Sequence, residues 1–271
     1  MVKPFVLATA LVCMLNASTL EKTLIQFMGE GAYQSQRNLV RILFNDEARY
    51  MKGQSPNTLE ILKTLKEHGL LRLMYTEARA VELSFYATEN PLLFMRIVNE
   101  SLQAMGYTFY LTQKMEKNKE GIMWVIAMNT QHVVDPVLLS RQIALRGGTI
   151  EAISKDTQGQ WRYIIDLKEA KAKVEPHPLN TTVALGNPIN PYWVNVSEAN
   201  RMTLRSHAAD RWFPRVAFFD KTLHIIEEVQ EENSRAQLRL SIPENAAYAR
   251  IEDRYTLDNI KRGLSLYLER R

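Results

Sequence analysis

Asn90-Pro91-Leu92-Leu93-Phe94-Met95-Arg96-Ile97-Val98-Asn99-Glu100-Ser101-Leu102-Gln103-Ala104-Met105-Gly106 is the stretch that decides the fold. A polar residue before a proline marks a helix start. The polar side chain accepts from the free amides of the first turn, and proline has no amide to leave unpaired there. Leu93, Ile97 and Leu102 then recur near helical spacing, and Gly106 stops the helix. Tyr107 to Gln113 and Ile122 to Asn129 follow as two strand-like runs.

The same order occurs on either side. Upstream, Ser55-Pro56 opens a helix with Leu59, Leu62 and Leu65, Gly69 closes it, and Leu70 to Tyr75 and Val81 to Ala87 read as strands. Downstream, Asp135-Pro136 opens a helix with Leu138, Leu139 and Ile143, Gly147-Gly148 closes it, and Thr149 to Ser154 and Trp161 to Leu167 read as strands. Residues 54–170 are therefore expected to form a domain of repeated helix-strand-strand units. Taken from Val81 to Ile153, the order is strand-helix-strand-strand-helix-strand, which is ferredoxin-like. In spacing alone this part resembles the SPOR class of peptidoglycan-binding domains. The resemblance is one of topology only, over Val81 to Ile153.

Before the repeats, Leu20, Leu24, Phe27 and Met28, then Leu39, Val40, Leu43 and Phe44, predict two helices within a helical segment spanning 19–53. The chain opens with Met1-Val2-Lys3, the apolar run Phe5 to Leu15, and small residues at Asn16-Ala17-Ser18. This is the layout of a secretory signal peptide over residues 1–18. It predicts export to a periplasm.

After the repeats, Lys168 to Lys173 is charged and predicts an extended edge. Pro176, Pro178, Pro188 and Pro191 forbid a helix, so 171–191 is expected to be a linker, with a short strand near Val183 to Leu185. From Tyr192 alternation prevails. The expected strands are 192–196, 201–206, 215–220, 222–229, 235–242, 248–254 and 264–269, with a short helix or crossover at 256–261. Residues 192–271 thus read as an antiparallel β-sandwich or jelly roll, and the whole chain as α+β.

Cys13 is the only cysteine, so a chain without its first residues has no thiol chemistry. The five histidines have no metal-site spacing, and no metal or cofactor is expected. The net charge of +4 is spread among mixed charges, without the basic density of a nucleic-acid surface. No glycine-x-serine-x-glycine elbow, dinucleotide turn or phosphate loop occurs.

Ligand-binding candidates lie in the C-terminal part, where basic residues change from a Lys-Arg mixture to eleven Arg and two Lys. Alternation puts Arg201, Thr203 and Arg205 outward, with Met202 and Leu204 inward. It likewise puts Arg235, Gln237 and Arg239 outward. A guanidinium fork fits carboxylates and phosphates. The competing reading is a ladder of cross-strand ion pairs with Glu227, Glu228, Glu231 and Glu232. Arg211-Trp212-Phe213-Pro214-Arg215 is the most unusual local sequence. Trp212 between Arg211 and Arg215 reads either as a stacking platform or as a plug for the sandwich core.

The sequence therefore predicts a non-catalytic exported envelope protein that binds a protein partner or scaffolds an assembly. A glycan- or peptidoglycan-binding sandwich is the alternative. A carbohydrate-active enzyme comes third and needs paired carboxylates, for which Asp220, Glu227 and Asp253 are available.

Overall fold

The structure, a computed structural model, describes residues 18–271. The proposed signal segment lies outside the described residues except for Ser18, whose side chain accepts from the Glu21 amide at 3.1 Å and caps the first helix. Helices α1 (Thr19–Met28), α2 (Glu30–Ser35) and α3 (Arg37–Leu43) are followed by a 3-10 turn over Glu47–Tyr50. A miniature hairpin, β1 (Met51–Lys52) with β2 (Ser55–Pro56), then turns at Gly53, which has a φ of +63°. The N-terminal helices are thus shorter and more numerous than the periodicity predicts, because Gly29 at φ +83° breaks the first run.

Next come α4 (Thr58–Glu67), β3 (Met74–Ala87), α5 (Pro91–Ala104), β4 (Leu111–Lys117), β5 (Ile122–His132), α6 (Pro136–Ala144), β6 (Thr149–Lys155) and β7 (Trp161–Asp166). The five strands form one sheet in the order β4-β5-β3-β7-β6. The strand-helix-strand-strand-helix-strand succession is present. It is extended by β7, which lies between β3 and β6 and runs parallel to β3. The first unit differs from the two-strand expectation. Thr76-Glu77-Ala78-Arg79-Ala80 has no turn former, so the two expected strands merge into β3, with only a register shift between Met74 and Arg79.

One face of this sheet packs under the helices. Val81, Leu83 and Phe85 of β3 meet Ile61, Leu62 and Leu65 of α4 and Phe94, Ile97 and Leu102 of α5 in a shared core. Lys168 to Lys173 does not extend an edge. Its alternating small residues Ala170 and Ala172 are buried against the same core instead.

The C-terminal part is a β-sandwich of two four-stranded sheets. Its strands are β8 (Thr182–Leu185), β9 (Tyr192–Asn195), β10 (Ala199–Ser206), β11 (Pro214–Phe219), β12 (Ile225–Gln230), β13 (Gln237–Ser241), β14 (Tyr248–Asp253) and β15 (Leu264–Arg270). The orders are β13-β10-β15-β8 and β12-β11-β14-β9, with every pair antiparallel. Consecutive strands such as β13 and β14 fall in different sheets, which is the double Greek key of a jelly roll. The strand expected near Val183 is β8, and it pairs with β15 as part of this sandwich. Among the described residues no helix is long and apolar enough to cross a membrane.

Candidate functional site

The two outer faces of the jelly roll have different surroundings. On the β12-β11-β14-β9 sheet, Val216 and Phe218 enter the jelly-roll core, whereas Ala217 and Phe219 join the core of the helical layer with Tyr248. Arg96 of α5 lies 4.2 Å above the Trp193 ring of β9. That face is the docking side between the two halves. The outer face of the β13-β10-β15-β8 sheet instead exposes Arg201, Arg205 and Arg239.

Cross-strand register arranges that free face in rows. Arg239, Thr203, Tyr267 and Thr182 lie side by side in the middle row. Gln237, Arg205 and Ser265 form one flanking row, and Ser241, Arg201 and Glu269 the other. All of these except Gln237 and Ser241 line a depression of about 390 Å³. Arg201 Nη1 donates to Glu269 Oε2 at 3.0 Å, and Arg205 Nε donates to Gln237 Oε1 at 3.2 Å. Among the described residues Arg239 makes neither an ion pair nor a side-chain hydrogen bond. Three guanidinium groups therefore face a single carboxylate around the half-buried Tyr267 and Thr203.

The other candidate residues are not brought here. Trp212 is 0% exposed and belongs to the jelly-roll core; its Nε1 donates to the Glu252 carbonyl at 3.2 Å. This corrects the stacking-platform reading, since a ring with no accessible face cannot stack on a ligand. The backbone around it is pinned as well: Arg235 N donates to the Trp212 carbonyl, and Phe213 N donates to Asp253 Oδ2 at 2.7 Å. Arg211 is exposed beside the Phe213 ring, at 5.4 Å.

Arg215 lies on the other sheet and realises the ion-pair ladder. Its Nε donates to Glu228 Oε1 at 2.5 Å and stands 3.5 Å from Glu252 Oε1, which also pairs with Arg250 at 3.0 Å. The hydrogen bond from Arg215 holds the Glu228 carboxyl below its usual range, against a smaller upward push from burial. Arg215 is correspondingly raised by the same bond.

Two of the carboxylates considered for catalysis are engaged in turns. Asp253 Oδ1 accepts from Tyr255 N, Thr256 N and Asn259 Nδ2, while Asp220 Oδ1 accepts from Thr222 and His224 N. Glu227 is exposed on β12. Glu269 is the one carboxylate in the arginine-lined depression, and it is paired with Arg201. Among the described residues no group of three or more His, Cys, Asp or Glu is placed to hold a metal ion.

Sequence reasoning found Arg201, Arg205 and the outward set of Arg239 by alternation, but missed Tyr267 and Thr182. Alternation within 264–269 puts Ser265, Tyr267 and Glu269 outward, and that signal was available. The pairing of β15 with both β10 and β8 was not, because neighbours in a Greek key are distant in sequence.

No family model matches the chain, and no curated protein matches it. Among solved structures, part of the Glycosylation Associate Protein complex from Streptococcus agalactiae is 14% identical over 33% of this chain and 37% of that one, with a TM-score of 0.19. The secreted serine protease VesC from Vibrio cholerae is 8% identical over 59% of this chain and 39% of that one, with a TM-score of 0.20. The chain thus spans well under half the length of either.

Proposed function

We propose that this is a non-catalytic, exported cell-envelope protein that holds an acidic partner protein on the arginine face of its jelly roll. The observation that carries the reading is the charge imbalance of that face: Arg201, Arg205 and Arg239 against Glu269 alone. Guanidinium forks keep donors available for carboxylates when their own sheet does not supply enough of them. The opposite sheet, by contrast, neutralises its arginines internally and packs on the helical layer.

Crosslinking in cells tests the reading. The wild-type chain is expected to give a discrete crosslinked species in the periplasmic fraction, and the double charge reversal Arg205→Glu/Arg239→Glu is expected to lose it while keeping its circular dichroism. Recovery of the wild-type protein alone, or an undiminished species from the variant, overturns the proposal.

A second reading, retention on an acidic glycan such as peptidoglycan, is favoured by Tyr267 and the two threonines in the depression. These groups offer a ring face and hydroxyls rather than charge. Tyr267→Ala would then abolish retention on peptidoglycan sacculi with the fold intact. Equal retention of both proteins would dispose of it.

A further inference from the structure

The α/β half carries a second, larger basic site that is unrelated to the arginine face. A cleft of about 1060 Å³ opens between α1, the start of β3 and the β6–β7 turn. Lys22, Arg72, Arg79 and Lys155 line it, against Glu77 and Asp156. Among the described residues none of the four cations makes an ion pair or a side-chain hydrogen bond. Asp156 is turned into its own hairpin, where Oδ1 accepts from Gln158 N at 2.9 Å and Gln160 N at 2.8 Å.

Two of the cations rest on aromatic rings instead of carboxylates. The Arg79 guanidinium lies 4.0 Å from the Tyr75 ring centre, and Lys155 Nζ lies 5.7 Å from that of Trp161. Stacking of this kind positions a cation without using up its donors. Gly159, at φ +86°, brings bare backbone against Arg79; an added Cβ would stand 2.8 Å from Nη2. Burial, and then the charge of Arg79, push the Lys155 ammonium below its ordinary range. An anion beside both groups would offset these effects by favouring the charged lysine.

We propose that this cleft binds a phosphate group carried by a larger molecule, with Arg79 and Lys155 as its two cationic ligands. A dianion answers two adjacent cations, and the arginine fork and lysine point charge are the usual complement of phosphate oxygens. The cleft, at about 1060 Å³, is slightly larger than the roughly 300–1,000 Å³ typical of small-molecule pockets, so a phosphate fills only a part of it.

Lysine acylation followed by peptide mapping reads the site directly on the full chain. Inorganic phosphate and phenyl phosphate are each expected to slow acylation of Lys155 severalfold at constant ionic strength. Lys221 and Lys261, in the jelly roll, are expected to react unchanged. Acetate and chloride are expected to protect little. Arg79→Gln should remove the protection, and Arg79→Lys should restore part of it; both are checked for fold by circular dichroism. Equal protection by chloride, or Lys155 reactivity indifferent to phosphate, overturns the site. Protection by inorganic phosphate without protection by phenyl phosphate overturns the larger-molecule part of the proposal.

Discussion

The Trp212 ring is fully buried in the jelly-roll core, and its indole N–H is satisfied by a carbonyl of β14. Trp212→Ala should therefore cost about 3–5 kcal/mol, from lost burial and the cavity left behind. Chemical denaturation followed by circular dichroism measures it, and an unchanged midpoint would return the ring to the surface. Lys155 is the opposite case, a residue whose removal stabilises. Its pKa is lowered in the folded state, so between that depressed value and the ordinary lysine value the unfolded chain binds more protons. Stability then rises with pH through this window, and the full penalty is present below it. Lys155→Met should raise the melting temperature near neutral pH. The gain should shrink in alkali. A gain independent of pH would mean that charge is not its origin.

Elements were legible where the signal is local. Asp135-Pro136 starts α6 as read, with Oδ1 accepting from Val137 N and Leu138 N. Asn90-Pro91 also starts α5, but Asn90 adopts a left-handed φ of +55° and makes no side-chain cap. Ser55-Pro56 belongs to β2, and α4 begins later, after Asn57. The polar-proline pair thus starts α5 and α6 but not α4, and even where it starts a helix it does not fix the capping geometry. The jelly-roll strands were legible by alternation, and the outward set of Arg201, Arg205 and Arg239 with them. What alternation lacks is which strands are neighbours, so it does not show that Arg215 lies on the opposite sheet from Arg201, Arg205 and Arg239. Gly263 marks one such non-local junction. It has a φ of +82°, and an added Cβ would stand 2.0 Å from the Leu185 carbonyl, where β8 meets β15. Gly263→Ala should cost more than the roughly 1 kcal/mol of an ordinary glycine replacement, since backbone must move as well as twist. Hydrogen exchange should locate the loss in the β8 amides. Unaltered protection there would show that β8 tolerates displacement.

At the scale of the whole molecule, the two halves share buried surface rather than a bare linker. Ala217, Phe219, Leu223, Ala247 and Tyr248 of the jelly roll are buried in the core of the helical layer. Phe219 packs against Trp193 with ring centres 5.0 Å apart, and Arg96 reaches across to Trp193 from α5. Arg96 is itself held by Glu100 at 2.8 Å, and Glu100 by Arg146 at 3.0 Å, so the contact is braced from α5 and the segment after α6. Apolar burial of this kind couples the stability of one half to the other. The full chain should then melt in one calorimetric transition. Phe219→Asp places a carboxylate at a 6% exposed position in that interface, where an unpaired buried charge is strongly unfavourable. The expected result is two separated transitions, with the half that melts first at a lower temperature than the intact protein. The arginine face lies on the other sheet of the jelly roll, so the partner binding proposed for it should survive at temperatures below the first transition. A single transition of the variant at the wild-type temperature would mean that Phe219 contributes nothing to the coupling, and two transitions already in the unaltered chain would mean that the shared core couples nothing. Loss of binding in a variant whose jelly roll still melts normally would instead mean that the docked helical layer shapes the arginine face through the sandwich.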